Sequence, residues 1–316
     1  MKTLIVVSGG DAPGINTVID RFIRLAARNQ GEVVGAQGGF AGLLAGAVVE
    51  LDPTMLAVLA GRGGAYLASS REPVLASADA RQKLNAVMVR HAIDNVLLFG
   101  GDGTIRHVLP RLHRWGIACV ALPTTIDNDV AGTDYTLGHD SACNFAFQTI
   151  EGILATAHAL PGRIFMVETL GGDTGHLALA IAYASAAQVV LLPEYPLPQQ
   201  LYPRLKALVT EAGYALVVLA EGVSSIPQLA EAIPRQTGVR LRHIKLGHAQ
   251  RGAAVSHRDR CVAQDMCRIA WQAFRDDIRI GLVVSRQGAM TLQEGTLSDV
   301  EKSPPDYRQY AFVNDL

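Results

Sequence analysis

The sequence predicts an α/β fold of two lobes with largely parallel sheets, and three observations carry that prediction. Short β-branched or leucine-rich runs recur along the chain. Alanine- and leucine-rich stretches with helical spacing lie between them, and glycine pairs sit where several of the runs end. The length agrees, because 316 residues are long for one compact core and suit two units of ordinary size.

TLIVVS (3–8) is apolar at almost every position, which marks a strand covered on both faces, as in a parallel sheet. NVLLFG (95–100), CVALP (119–123), RIFMVE (163–168), VVLLP (189–193) and YALVVLAEG (214–222) read the same way. Residues 17–29, 142–157 and 201–212 carry helical spacing between them. No repeat of fixed period and no low-complexity tract interrupts the pattern. EKSPPDYRQYAF (301–312) reads as an irregular terminal segment, with Pro304-Pro305 barring a helix.

Hydrophobic residues make up 49% of the chain and charged residues 18%, enough apolar material for a core and too little charge for disorder. A formal net charge of −1 argues against a protein that grips nucleic acid through its phosphates. No apolar stretch is long enough to span a membrane, and the N-terminus has no signal-peptide pattern, so a cytoplasmic protein is expected. Cys119, Cys143, Cys261 and Cys267 show no CxxC spacing and read as buried free thiols.

Ligands in open α/β sheets sit at the carboxyl ends of the strands, where the glycine pairs fall. In SGGDAPGIN (8–16), Gly9 and Gly10 let backbone N–H groups approach an anion ahead of a helix N-terminus near Asn16. No GxxxxGKS or GxxxxGKT and no GxGxxG occurs, which excludes a Walker-type phosphate loop and weakens a dinucleotide oxidoreductase. GGDGT (100–104) offers Asp102 as a hard oxygen ligand for magnesium, or as a helix cap, and Gly103 leaves room for a phosphate. PTTIDND (123–129) places Asp127 and Asp129 two residues apart; a carboxylate there could accept an alcohol proton, although an isolated DND also suits a solvated turn. Arg62 and Arg71 in GRGGAYLASSR (61–71), and His248 and Arg251 in LGHAQRG (246–252), are basic residues among glycines that could bind a monophosphate.

These five motifs, occurring along the chain in the order 8–16, 61–71, 100–104, 123–129 and 246–252, resemble the phosphofructokinase family of the bacterial ATP-using type, from the first strand to about residue 265. The resemblance implies two Rossmann-like lobes with the active site in the cleft between them. The larger, nucleotide-binding lobe would comprise 1–138 and 251–300, and the smaller, sugar-phosphate lobe 139–250 and 301–316. It implies an ATP-dependent kinase of the C1 hydroxyl of a ketose phosphate, by default fructose 6-phosphate, with Mg2+ as cofactor. Asp127 would take the hydroxyl proton, Asp129 would support the magnesium and the moving phosphoryl group, and Thr125 would hydrogen-bond the reacting group. Asp102 would hold magnesium, while Gly10, Gly101, Gly103 and Thr104 would line the nucleotide phosphates. Arg71 would bridge nucleotide and sugar phosphate. His248 and Arg251 would bind the distal phosphate, Glu221 a sugar hydroxyl, and Leu170, Gly171 and Gly172 the sugar. Arg163 and Arg242 match positions that reach in from a neighbouring subunit, which implies a homo-oligomer, tetramer or dimer.

Three departures from the family pattern stand out. Gly172 replaces an arginine of a Met-Gly-Arg run, which points to another acceptor, such as tagatose 6-phosphate or sedoheptulose 7-phosphate, or to a weakened, ligand-binding relative. Thr124 stands where ATP-using members have glycine and pyrophosphate-using members lysine; Gly103 and the absent lysine favour ATP over pyrophosphate. Asp20 occupies an effector-site arginine position, with Arg24 retained, and the stretch 211–218 has no lysine pair, so control by ADP or phosphoenolpyruvate through that site is not expected.

Overall fold

The computed structural model describes residues 1–70, 72–185, 187–297 and 299–316, and among the side chains leaves out those of residues 72 and 73. The chain folds as two compact units, Met1–Ser141 with Arg251–Lys302, and Ala142–Gln250 with Ser303–Leu316. In chain order the first stretch holds β1 (Lys2–Val7), α1 (Ile15–Arg28), β2 (Glu32–Ala36), α2 (Gly39–Leu44), β3 (Val48–Glu50), α3 (Pro53–Leu59), α4 (Ala80–Arg90), β4 (Asn95–Gly100), α5 (Leu109–Arg114) and β5 (Cys119–Pro123). Next come α6 (His139–Ala159), β6 (Arg163–Thr169), α7 (His176–Ala184), β7 (Val189–Leu191), α8 (Leu201–Ala212), β8 (Tyr214–Ala220), α9 (Ile226–Thr237) and β9 (Arg240–Lys245). The chain ends with α10 (His257–Arg275), β10 (Ile280–Arg286), β11 (Ala289–Glu294) and α11 (Tyr307–Asn314).

The first unit is built on a seven-stranded sheet of order β11-β10-β5-β4-β1-β2-β3. Its five central strands run parallel, and only the edge strands β3 and β11 are antiparallel to their neighbours. Alternation along β1 shows why it reads as a continuous apolar run. Leu4 and Val6 enter one core with Leu84, Leu98, Leu109 and Ala121, while Ile5 and Val7 enter another with Ile19, Phe22, Leu97, Phe99 and Trp271. Both faces are therefore covered, so neither set of positions can be polar.

The second unit has a four-stranded sheet, β7-β8-β6-β9, parallel throughout. Ile164, Met166, Val217 and Leu219 form the core on one face with Leu205, Leu229 and Ile233 of the covering helices. β9, whose sequence RLRHIK alternates apolar with charged side chains, is an edge strand with Arg240 and Arg242 exposed. Charge along an edge discourages further strand pairing, and it also hides the strand from a search for apolar runs.

Two expectations are corrected. The terminal segment is irregular only as far as Pro305, because Asp306 caps α11 by accepting from the backbone N–H of Arg308 at 2.8 Å. The prolines cannot enter that helix, but standing before its cap they do not prevent it. Cys119, Cys143 and Cys267 are buried, whereas Cys261 lies on the exposed side of α10. Burial pushes the Cys119 thiol far up, and burial dominates the same rise at Cys267.

Candidate active site

The acidic and glycine-rich loops of the first unit belong to neighbouring strands. β1, β4 and β5 are adjacent, in parallel register through Val7 with Phe99 and Gly100 with Pro123. Chain order reverses between β1 and β4, since β2 and β3 lie on one side and β5 and β10 on the other. A crevice opens outside the carboxyl ends of the strands at such a switch point. The loops after β1 and β4 flank it and are stitched together by the Thr104 hydroxyl, 3.2 Å from Ser8 Oγ and 3.3 Å from Ser8 O.

Gly9 turns the β1 loop at φ +90° and anchors it through its N–H to Ser70 O at 3.0 Å. Gly10 is closely approached by the Arg251 guanidinium, which would have to move if a Cβ stood there. Arg251 Nη1 donates to Asp11 O at 3.1 Å, so Arg251 stands against the loop after β1. Gly101 and Gly103 follow β4 on either side of Asp102, and Thr104 opens a π-helical stretch, Thr104–Val108, a geometry often found at functional sites.

The loop after β5 is held from several directions. Thr125 Oγ1 accepts from the N–H of Asp127 at 3.2 Å, the Thr136 hydroxyl donates to Thr125 O at 2.7 Å, and His139 Nδ1 lies 2.8 Å from Ile126 O. Asn128, between the two aspartates, has φ +55°. Asparagine tolerates this left-handed conformation better than most residues. Its Oδ1 accepts from Thr136 N at 2.8 Å and lies 3.2 Å from Thr136 Oγ1, and its amide donates to Asp134 O at 3.3 Å. Asp127 and Asp129 emerge half-buried on either side of this fixed asparagine. The following stretch rests on Asp259 of α10, fully buried, which accepts from Tyr135 OH at 2.7 Å, Gly138 N at 2.9 Å and Ser141 N at 2.9 Å.

Asp102 and Asp129 meet at one ammonium. Lys302 Nζ lies 2.9 Å from Asp102 Oδ2 and 2.6 Å from Asp129 Oδ2, and Arg106 Nε donates to Asp102 Oδ1 at 2.8 Å. Partial burial works against the charged ammonium, but the hydrogen bonds to Asp129 and Asp102 outweigh it and lift the Lys302 pKa above the ordinary lysine value. Two hard carboxylates converging on one cation-sized position fit magnesium, which takes one or two carboxylates and leaves its other positions to water and phosphate. Among the described residues no group of three or more His, Cys, Asp or Glu forms a metal cage.

The second unit carries a different set. After β6, Gly171 (φ +147°) and Gly172 (φ +58°) form a turn whose two N–H groups donate to Glu221 Oε1 at 3.2 and 2.9 Å. Leu170 N donates to the buried Gln250 Oε1 at 2.9 Å, tying the turn to the 3-10 segment Gly247–Gly252, on which His248 is exposed. The structure thus gathers Leu170, Gly171, Gly172 and Glu221 at the carboxyl end of the second sheet. Arg163, the first residue of β6, lies at the opposite end of that strand, about 20 Å from Thr169 at 3.3 Å per residue. There its guanidinium folds onto the carbonyls of Leu160 and Pro161. Arg71 lies outside the described residues.

Sequence reasoning missed Arg106 and Lys302. Arg106 stands four residues beyond Asp102, a spacing at which helical side chains meet, so a signal existed. Lys302 carried none, being 173 residues from Asp129.

Comparison with known proteins shows what this chain is similar to. The family profile described as Phosphofructokinase matches residues 2–274. An ATP-dependent 6-phosphofructokinase from Lactobacillus johnsonii is 36% identical over 266 residues, covering 83% of this chain and 82% of that protein. The structure of phosphofructokinase from Saccharomyces cerevisiae matches with a TM-score of 0.83 at 23% identity, covering 93% of this chain; this chain spans 44% of the yeast one. A pyrophosphate-dependent phosphofructokinase from Marinobacter aquaeolei matches equally well in fold, with a TM-score of 0.83 at 23% identity over 97% of this chain and 86% of that one. With the profile covering most of its length and a curated relative this similar, the chain belongs to the phosphofructokinase family.

Proposed function

We propose that this protein transfers the terminal phosphoryl group of ATP to the C1 hydroxyl of fructose 6-phosphate, giving ADP and fructose 1,6-bisphosphate. The observation that carries the reading is the placement of Asp102, Asp127 and Asp129 after two adjacent strands, beside the glycine loop of β1 at the switch point of the sheet. The nucleotide phosphates lie along Gly10, Gly101, Gly103 and Thr104, where glycine lets backbone N–H groups approach an anion closely. Asp127 accepts the C1 hydroxyl proton as that oxygen attacks the terminal phosphorus and the bond to the bridging oxygen of ADP breaks. Thr125, whose hydroxyl already orients the Asp127 backbone, hydrogen-bonds the reacting group. Asp102, with support from Asp129, would hold Mg2+, which would supply positive charge to neutralise the phosphates.

Two features support ATP over pyrophosphate. Position 124 brings no positive charge: Thr124 is buried, and its hydroxyl donates to Leu122 O at 3.0 Å. Gly103 leaves the β4 loop without a further carboxylate. On the sugar side, Glu221 holds the turn of Gly171 and Gly172 through Oε1 and contacts a sugar hydroxyl, while His248 and Arg251 bind the distal phosphate. Arg71 bridges the two phosphates. The separation of Arg163 from the Gly171–Gly172 turn, and the position of Arg242 on the exposed edge strand β9, suit arginines that serve a neighbouring copy. The reading is therefore a cytoplasmic homo-oligomer, dimer or tetramer, and light scattering on the purified protein that returned a monomer would remove this part of it.

The turn at Gly172 favours a second reading of the acceptor. No arginine projects from it, so a different ketose phosphate, such as tagatose 6-phosphate or sedoheptulose 7-phosphate, could fill the space. A coupled assay of these sugars, with ATP and pyrophosphate as alternative donors, decides. Turnover of fructose 6-phosphate with ATP above that of every other pair is expected. Equal or faster turnover with pyrophosphate would overturn the donor assignment. Among the described residues no helix is long and apolar enough to cross a membrane.

A further inference from the structure

We propose that Lys302 is the resident cation of the Asp102–Asp129 pair, and that Mg2+ displaces it when the site is loaded. The inference rests on the metal assignment above and adds a residue to it. Carboxylates carried by adjacent loops repel each other, and a pair held close without a counter-charge would splay or take up a proton. In this protein one ammonium satisfies both, at 2.9 Å from Asp102 Oδ2 and 2.6 Å from Asp129 Oδ2.

The ammonium is delivered by a built contact. Arg106 uses Nε to hold Asp102 Oδ1 at 2.8 Å and Nη2 to hold the carbonyl of Val300 at 3.0 Å. One guanidinium therefore orients the acid and fixes the backbone two residues before Lys302. The Lys302 side chain is about one-third exposed, so the pair it joins is only partly screened by water.

An ammonium and a metal ion want the same oxygens. While Lys302 donates to Asp102 Oδ2 and Asp129 Oδ2, a divalent cation meets occupied lone pairs and a positive neighbour. Bare Mg2+ is therefore a poor competitor, and Mg2+ arriving with nucleotide phosphates, which bring their own negative charge, is a better one. Displacement frees an ammonium on a flexible stem next to the site without disturbing the Arg106 anchor.

The test is binding of Mn2+ alone, a hard octahedral stand-in for Mg2+, to the full chain without nucleotide, read as loss of the free-ion signal in electron paramagnetic resonance. Lys302→Met is expected to bind Mn2+ about tenfold more tightly than wild type, the factor set by removing a partly screened ion-pair partner, while Lys302→Arg stays near wild type. In the kinase assay the half-saturating free Mg2+ concentration falls in the Met variant. Lys302→Gln, which keeps a polar head without the charge, serves if the Met variant proves insoluble. Equal or weaker Mn2+ affinity in the uncharged variants would overturn the proposal. Wild-type protein inactive on every sugar phosphate would instead remove the kinase reading, and the Mn2+ comparison would still decide the role of Lys302.

Discussion

Replacing Asn128 by alanine should damage the protein more than its position on a polar turn suggests. Asn128 has φ +55°, and an alanine in that left-handed conformation costs roughly 1 kcal/mol. The substitution also removes the acceptor for the backbone N–H of Thr136, a fully buried residue, and an orphaned buried donor costs about 1–3 kcal/mol. The weaker contact to Asp134 O adds a few tenths of that. Together these predict a loss of about 2–4 kcal/mol in the stability of this loop. Asp127 and Asp129 flank the altered residue, and a misplacement near 1 Å costs on the order of 100-fold in rate. Amide exchange of residues 134–137 and steady-state kinetics are the assays. Asn128→Gly should recover the backbone part, about 1 kcal/mol, without the hydrogen bonds, and so fall between wild type and Asn128→Ala. If Asn128→Ala exchanged at the wild-type rate and kept kcat within about twofold, the argument that this asparagine sets the two carboxylates would be refuted.

Further outcomes follow from the same contacts. Asp127→Asn should lower kcat by about 100- to 10,000-fold, because it removes a proton acceptor at nearly constant shape; retained turnover would show that another group takes the proton. Asp259→Asn should destabilise the first unit by about 2–4 kcal/mol, since an amide turned toward the donors at Gly138 or Ser141 opposes like with like; a denaturation midpoint equal to wild type would contradict this. Native protein treated with a thiol reagent should show one fast-reacting cysteine, Cys261, with the other three released only on unfolding. ADP and phosphoenolpyruvate should leave the substrate saturation curve hyperbolic, because Arg24 is already paired at 2.9 Å with Asp20 on its own helix; sigmoidal kinetics relieved by ADP would refute that.

The apolar runs determined the α/β class, because a strand buried on both faces must be apolar at successive positions, as Leu4, Ile5, Val6 and Val7 are. The strand-end glycines and acids pointed to the loops after β1, β4 and β5 as the candidate site, because ligands in open α/β sheets bind at the carboxyl ends of the strands. Strands at edges were less legible: β9 carries arginines facing solvent, and β3 is only three residues long. The terminal helix was missed because a proline pair was read as barring the residues beyond it, whereas a cap at Asp306 starts a new helix. Local sequence, then, determined which runs are apolar, which turns are glycine-rich and which loops are acidic, because those properties depend on neighbours within a few positions. Only tertiary structure decided that Asp102 and Asp129 share one ammonium, that Lys302 supplies it and that Arg106 ties it to the loop after β4. Those meetings depend on strand order and on residues nearly two hundred positions apart, and neither periodicity nor spacing along the chain records them.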